Sequence, residues 1–197
     1  MIYIGQSGRQ YSPSSHPMIE GGMGDIHFVF DSMNQNVKYA LKLCKEDSTT
    51  FVQRFEREIF IHQHLCGLKV GFDGVIPFVE ALSSKIERRG FLMHYIEYGK
   101  SLFKWARNKM SVLPPKEQRS FLLELLLRLF RLLSEIHQKG VLHNDIKPEN
   151  ILVAGMGHQG SEYQIYFLDF GLAKKTDEQM TVSTIGTLGY AAPELLG

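Results

Sequence analysis

Within eight consecutive residues, His143-Asn144-Asp145-Ile146-Lys147-Pro148-Glu149-Asn150, Asp145, Lys147 and Asn150 supply an acid, an ammonium and a carboxamide, and Asp169 of Asp169-Phe170-Gly171 adds a further acid shortly afterwards. Asp and Asn oxygens are hard ligands that suit Mg²⁺. A lysine offsets charge on a transferring phosphoryl group. A further carboxylate is placed to accept a proton from a hydroxyl. Two carboxylates, one carboxamide and one ammonium therefore suit a site that holds Mg²⁺ and the end of a triphosphate.

Such a site needs elements to position it, and the pattern supplies them. The glycines of Ile19-Glu20-Gly21-Gly22-Met23-Gly24-Asp25-Ile26 let a backbone approach phosphate oxygens and present N–H groups to them. Residues 37–43, Val-Lys-Tyr-Ala-Leu-Lys-Leu, alternate as a strand does. Residues 51–65 have helical spacing, with Phe51, Phe55, Ile59 and His62 on one face. Residues 75–79 and 91–97 read as strands, the second running into a linker at Tyr98 and Gly99. Residues 101–110 read as a short helix, and Pro114-Pro115 starts a long apolar one. In that helix Glu124, Arg128, Arg131 and Glu135 fall at intervals of four, three and four. They make one narrow polar stripe, so the helix is expected to be buried over most of its circumference. Residues 151–153 and 164–168 read as strands flanking a polar, glycine-rich turn, the second leading into Asp169. Residues 1–17, rich in Ser, Gly and Pro, read as a loosely held arm, with or without a first strand.

Composition sets the class. The chain has 197 residues, 44% hydrophobic and 22% charged, ordinary for a globular protein of one large domain or two small lobes. A net charge of +1 gives no reason to expect nucleic acid or an anionic membrane as partner. Cys44 and Cys66 have no metal-type spacing and read as two reduced thiols, which favours a cytoplasmic location. No secretory leader is visible, and residues 121–133 are too few and too charged to span a bilayer.

Taken in order, these segments resemble the eukaryotic-type protein kinase family. His143 to Asn150 resembles its catalytic loop, Asp169-Phe170-Gly171 its metal-binding triplet, and Ala192-Pro193-Glu194 the motif that closes its activation segment. The family fold is α+β and two-lobed: a small antiparallel sheet lobe with one helix, then a mainly helical lobe. The resemblance implies an arm at 1–18, the first lobe at 19–97, and part of the second at 98–197.

The resemblance also implies roles. Asp145 would orient or deprotonate the acceptor hydroxyl, Lys147 would offset charge on the γ-phosphoryl, and Asn150 and Asp169 would hold Mg²⁺. Ile19, Gly21, Gly22, Gly24 and Ile26 would cover ATP. Ala40 and Leu152 would sandwich the adenine, and Met93 would stand as gatekeeper beside it. The backbones of His94 and Ile96 would meet its edge. Lys42 would take the α- and β-phosphates, held by Glu58 of the following helix, while Glu56 is expected in solvent. Thr187 matches the threonine that in Ser/Thr kinases steadies the catalytic acid and lysine. Leu172 hints at serine acceptors, and Thr181, Ser183 and Thr184 are candidate phosphorylation sites.

Departures qualify this. Ile19 stands at the first glycine position, and His94 where an acidic residue is common. Asn144 replaces an arginine that in many members pairs with a phosphorylated activation segment, so activity is expected to depend little on that phosphate. The sequence stops at Gly197, three residues past Glu194, where members of the family continue with further helices. Leucine surface on the long helix is then left for a second copy or a completing partner. The activity implied is ATP-dependent phosphorylation of Ser/Thr hydroxyls on protein substrates. The alternatives are a degenerate kinase that binds nucleotide or a partner without transfer, a small-molecule kinase of similar fold, and a scaffold with no nucleotide pocket.

Overall fold

The computed structural model describes residues 2–45, 48–67, 74–83, 88–156, 162–178 and 186–191. The first part of the chain is an antiparallel sheet of six strands. They are β1 (Tyr3–Ile4), β2 (Gln10–Pro13), β3 (Gly24–Asp31), β4 (Asn34–Cys44), β5 (Phe78–Ala81) and β6 (Gly90–His94), in the order β1-β2-β3-β4-β6-β5. β4 shows why the sequence reads as a strand. Tyr39, Leu41 and Leu43 point to one apolar cluster with Tyr3, Tyr11 and Val29, while Ala40 and Cys44 point to the other, with Lys42 between them.

Residues 3–13 do not form a loose arm. β1 and β2 join the sheet, Tyr3 and Tyr11 are buried, and the Tyr11 hydroxyl donates to Glu80 at 2.6 Å. The two outer strands also meet. Gly5 bridges Leu82, the Gln6 N–H donates to the Ala81 carbonyl at 2.9 Å, and the Ser83 N–H donates to the Ile4 carbonyl at 2.8 Å, so the sheet curls shut along a seam.

Helix α1 (Thr49–Gly67) crosses the sheet with Phe55, Glu58, Ile61, His62 and Leu65 buried. Phe51 and Ile59, expected on that face, are half-buried at its margin. β5 starts three residues later than the sequence suggests, because Pro77 has no N–H to give a ladder; Val75 instead bridges Phe167 in parallel. β6 likewise ends at His94, before the expected Glu97.

The second part is helical with short strands. It comprises β7 (Lys100–Ser101), α2 (Leu102–Val112), α3 (Pro115–Gln138), β8 (Val141–Leu142), β9 (Ile151–Met156), β10 (Glu162–Phe167) and β11 (Lys174–Lys175). β10-β9-β7 and β11-β8 form two small antiparallel sheets. Ser101 caps α2, its hydroxyl accepting the Lys104 N–H at 3.5 Å, and Pro115 opens α3. α3 corrects the expectation of burial around most of its circumference. Leu125 and Ile136 are buried, Phe121, Leu129, Leu132 and Leu133 partly so, but Leu122, Leu123, Leu126, Leu127 and Phe130 are exposed. Nor is the polar stripe uniform, since the Arg128 guanidinium donates to the Tyr163 carbonyl at 3.2 Å and covers its ring. Among the described residues no helix is long and apolar enough to cross a membrane. Cys44 and Cys66 are not bridged to each other.

Candidate active site

A cavity of ≈ 640 Å³ lies between the curled sheet and the second part of the chain. Ile19, Ile26, Ala40, Met93, His94, Ile96 and Leu152 all line it, as do Gly21, Gly22 and Gly24. Strand register explains the gathering. Ile26 faces Lys42, Ala40 faces Met93, and Lys42 faces Phe91 across neighbouring strands. Ile19 reaches over by exchanging both backbone hydrogen bonds with Ile26, at 2.9 Å each. The residues between form a loop in which a side chain on Gly21 would strike the Gly24 carbonyl at 2.5 Å. The His94 N–H is used by the Pro77 carbonyl at 3.0 Å, so His94 would meet an adenine through its carbonyl.

At the inner end, the Lys42 ammonium donates to both Glu58 oxygens at 2.6 and 2.7 Å and lies 3.5 Å from Asp169 Oδ1. Lys42 and Glu58 are buried, so the pair is one whose disruption is costly. Burial works against the Lys42 charge, but Glu58 and Asp169 outweigh it and hold its pKa up. Burial in turn pushes the Glu58 carboxyl up to about 7, against the pull of Lys42. Glu56 faces solvent, meeting Arg89 at 3.0 Å. Lys45 pairs with Asp25 at 3.3 Å and Lys38 lies over Tyr95, so neither competes for the cavity.

Beside the cavity, Asp145 is the hub. Its Oδ1 accepts the Thr187 N–H at 2.9 Å and the Thr187 hydroxyl at 2.6 Å. Its Oδ2 accepts Asn150 Nδ2 at 2.7 Å and lies 2.9 Å from the Lys147 ammonium. Lys147 also donates to Thr187 Oγ1 at 2.6 Å, closing a ring in which that hydroxyl both gives and receives. Burial pushes the Asp145 carboxyl up, but the Thr187 and Lys147 hydrogen bonds prevail and hold it below the ordinary range. Asn150 Nδ2 also donates to the Asp145 carbonyl at 3.0 Å. With its nitrogen committed twice, the carboxamide presents its oxygen, which fits a hard-metal ligand; Asp169, partly exposed in the cavity, fits as well.

The backbone around these groups is unusual. Asn144 and Asp169 both adopt the left-handed region, at φ 62° and 61°. Asn144 Nδ2 donates to the Leu172 carbonyl at 3.1 Å. His143 is locked beneath. The Asp145 N–H donates to Nδ1 at 3.3 Å, so Nε2 carries the proton and donates to the Leu168 carbonyl at 2.9 Å. Phe170 is buried between the rings of His143 and His62, at 4.8 and 6.0 Å, and its burial turns Asp169 toward Lys42.

Thus Asn150, Lys42, Glu58, Asp169 and the sheet residues share one cavity, while Asp145 and Lys147 stand next to it through Asn150. Thr181, Ser183, Thr184 and Ala192-Pro193-Glu194 lie outside the described residues. Among the lining residues given no site role in the sequence analysis are Phe28 and His62. Phe28 follows Ile26 by two on β3, a spacing that places both on one face. His62 meets the Ile76 carbonyl through Nε2 at 2.5 Å, and rings of Phe78, Phe91 and Phe170 surround it. Its place one helical turn after Glu58 was the available signal.

The family model for the protein kinase domain matches residues 18–197, and the chain belongs to that family. It is similar to a probable serine/threonine-protein kinase of Dictyostelium discoideum, 29% identical over 92% of this chain and 37% of that protein. It is also similar to the serine/threonine-protein kinase PknE of Mycobacterium tuberculosis, 29% identical over 88% of this chain and 28% of the relative. The human ribosomal protein S6 kinase alpha-6 is 30% identical over 90% of this chain and 22% of its own length. The chain therefore spans little more than a third, or less, of these curated relatives.

Proposed function

We propose that this chain transfers the γ-phosphoryl group of ATP to Ser or Thr hydroxyls of protein substrates. The observation that carries this reading is the ring of Asp145, Lys147 and Thr187, joined to Asn150 and set beside a cavity holding Lys42, Glu58 and Asp169. Ile26, Ala40, Met93 and Leu152 enclose the adenine, and the backbones of His94 and Ile96 meet its edge. Lys42, held by Glu58, positions the α- and β-phosphates. Asn150 and Asp169 would hold Mg²⁺, which would supply neutralisation of phosphate charge.

Asp145 is held ionised and already accepts four hydrogen bonds, so it aims the acceptor hydroxyl first and takes its proton late. Lys147 offsets charge growing on the γ-phosphoryl. Most of the catalysis is placement and neutralisation, as a loose phosphoryl-transfer transition state requires. Two thiols not bridged to each other suit a reducing, cytoplasmic setting.

The test is intact mass after incubation with Mg²⁺-ATP and a basic protein acceptor, with Asp145→Asn in parallel. Phosphate gained by either protein, and absent with the variant, is expected. ATP binding with no transfer by the parent would instead point to a nucleotide-binding relic, or to a fragment that needs a longer chain or a completing partner.

A further inference from the structure

Helix α1 delivers Glu58 to Lys42, so whatever fixes α1 also fixes the lysine. The neighbours of Glu58 reach outward, to the segment that follows Asp169-Phe170-Gly171. Arg57 Nη1 donates to Glu178 Oε2 at 2.5 Å. Three residues on, the exposed ring of Phe60 receives the Lys175 ammonium 5.1 Å from its centroid. Residues 57 and 60 are neighbours on the helix surface. Lys175 and Glu178 are joined by a turn, the Glu178 N–H donating to the Lys175 carbonyl at 3.2 Å. The segment is itself fastened to the body of the second part. β11 pairs with β8, and the Thr176 N–H donates to the Gly140 carbonyl at 2.9 Å. Asn144, meanwhile, brings no positive charge and spends its amide on the Leu172 carbonyl.

We propose that Arg57 and Phe60 of α1, with Lys175 and Glu178 of the segment, form a two-point clasp that holds Glu58 on Lys42. They are positioning residues, and an encoded carboxylate does this without modification of the segment. Only the catalytic consequence rests on the phosphotransfer reading; the clasp is a property of the apoprotein.

Both contacts are partly exposed, so each shifts the docking equilibrium of α1 by only about two- to fivefold. Turnover barely registers such a shift while α1 stays mostly docked. Amide hydrogen exchange reads the undocked fraction directly. The experiment uses phosphatase-treated 197-residue protein without nucleotide. It compares the parent, Arg57→Glu, Glu178→Arg and the double swap. Each single reversal should speed exchange of amides 55–65 at least twofold while β9 and β10 keep their rates. The double swap should return α1 to within about twofold of the parent. Unchanged α1 exchange in the single variants, or no recovery in the swap, overturns the clasp. If α1 exchange follows the expected pattern yet no variant nor the parent transfers phosphate, the clasp stands and the kinase reading falls.

Discussion

At the scale of single residues, Thr187 makes the sharpest commitment. Its hydroxyl donates to Asp145 and accepts from Lys147, and no other described side chain joins both. Hydrogen bonds to charged groups contribute about 1.5–3 kcal/mol each. Thr187→Ala should therefore lower kcat about 10- to 100-fold with little change in the KM for ATP, whereas Thr187→Ser should stay within about threefold. Equal losses in both would separate the hydroxyl from the chemistry.

His62 makes a different kind of prediction. Burial drives its imidazole down to about 4, against the hydrogen bond to Ile76. An unfolded histidine titrates near ~6.5. Between those values the unfolded chain binds the extra proton, so stability is present above ~6.5 and drains away as pH falls toward ~4, by about 3 kcal/mol at most. Glu58, pushed up by burial to about 7, slopes the other way over part of this range, so the His62 slope should appear as the difference between parent and His62→Phe in denaturant melts across it. His143 and His27, also pushed down by burial, keep part of the remainder. Identical slopes in parent and variant would contradict this. The candidate site residues Asp145, Lys147, Asn150 and Asp169 were legible because two short local motifs carry the family resemblance. The special place of His62 was not, since it follows from three aromatic rings brought in from residues 78, 91 and 170.

Among the elements, legibility follows range. β4 declares itself through strict alternation, and its two faces fill two clusters as the pattern requires. β1 and β2 do not, because what buries Tyr11 is a partner such as Glu80, 69 residues along the chain. β5 slid by three because one proline outranks the apolar run around it. α3 was expected both to be buried over most of its circumference and to leave leucine surface for a partner, and the exposed Leu122, Leu123, Leu126, Leu127 and Phe130 match the second expectation, not the first. The segment after Asp169 carries the prediction at this scale. It is tied down by β11 and by Asn144, whose amide takes a carbonyl rather than a phosphate. Joint Thr181→Ala, Ser183→Ala and Thr184→Ala changes should leave at least about half of the transfer rate. Near-total loss in a radiolabel assay would show that the segment needs its phosphate after all.

For the whole molecule, α3 exposes a face formed by Leu122, Leu123, Leu126, Leu127 and Phe130. That much contiguous leucine is unusual on a monomer. Sedimentation of the 197-residue chain should show association that grows with concentration, and Leu123→Glu with Leu127→Glu should abolish it. A clean monomer at high concentration would refute this. The sheet at the other end has the opposite character. Its seam spends the edge groups of Ile4, Gln6, Ala81 and Ser83 on one another. An extended linear motif from another protein therefore finds no backbone there to zip onto, and recognition along that seam must be read from side chains alone.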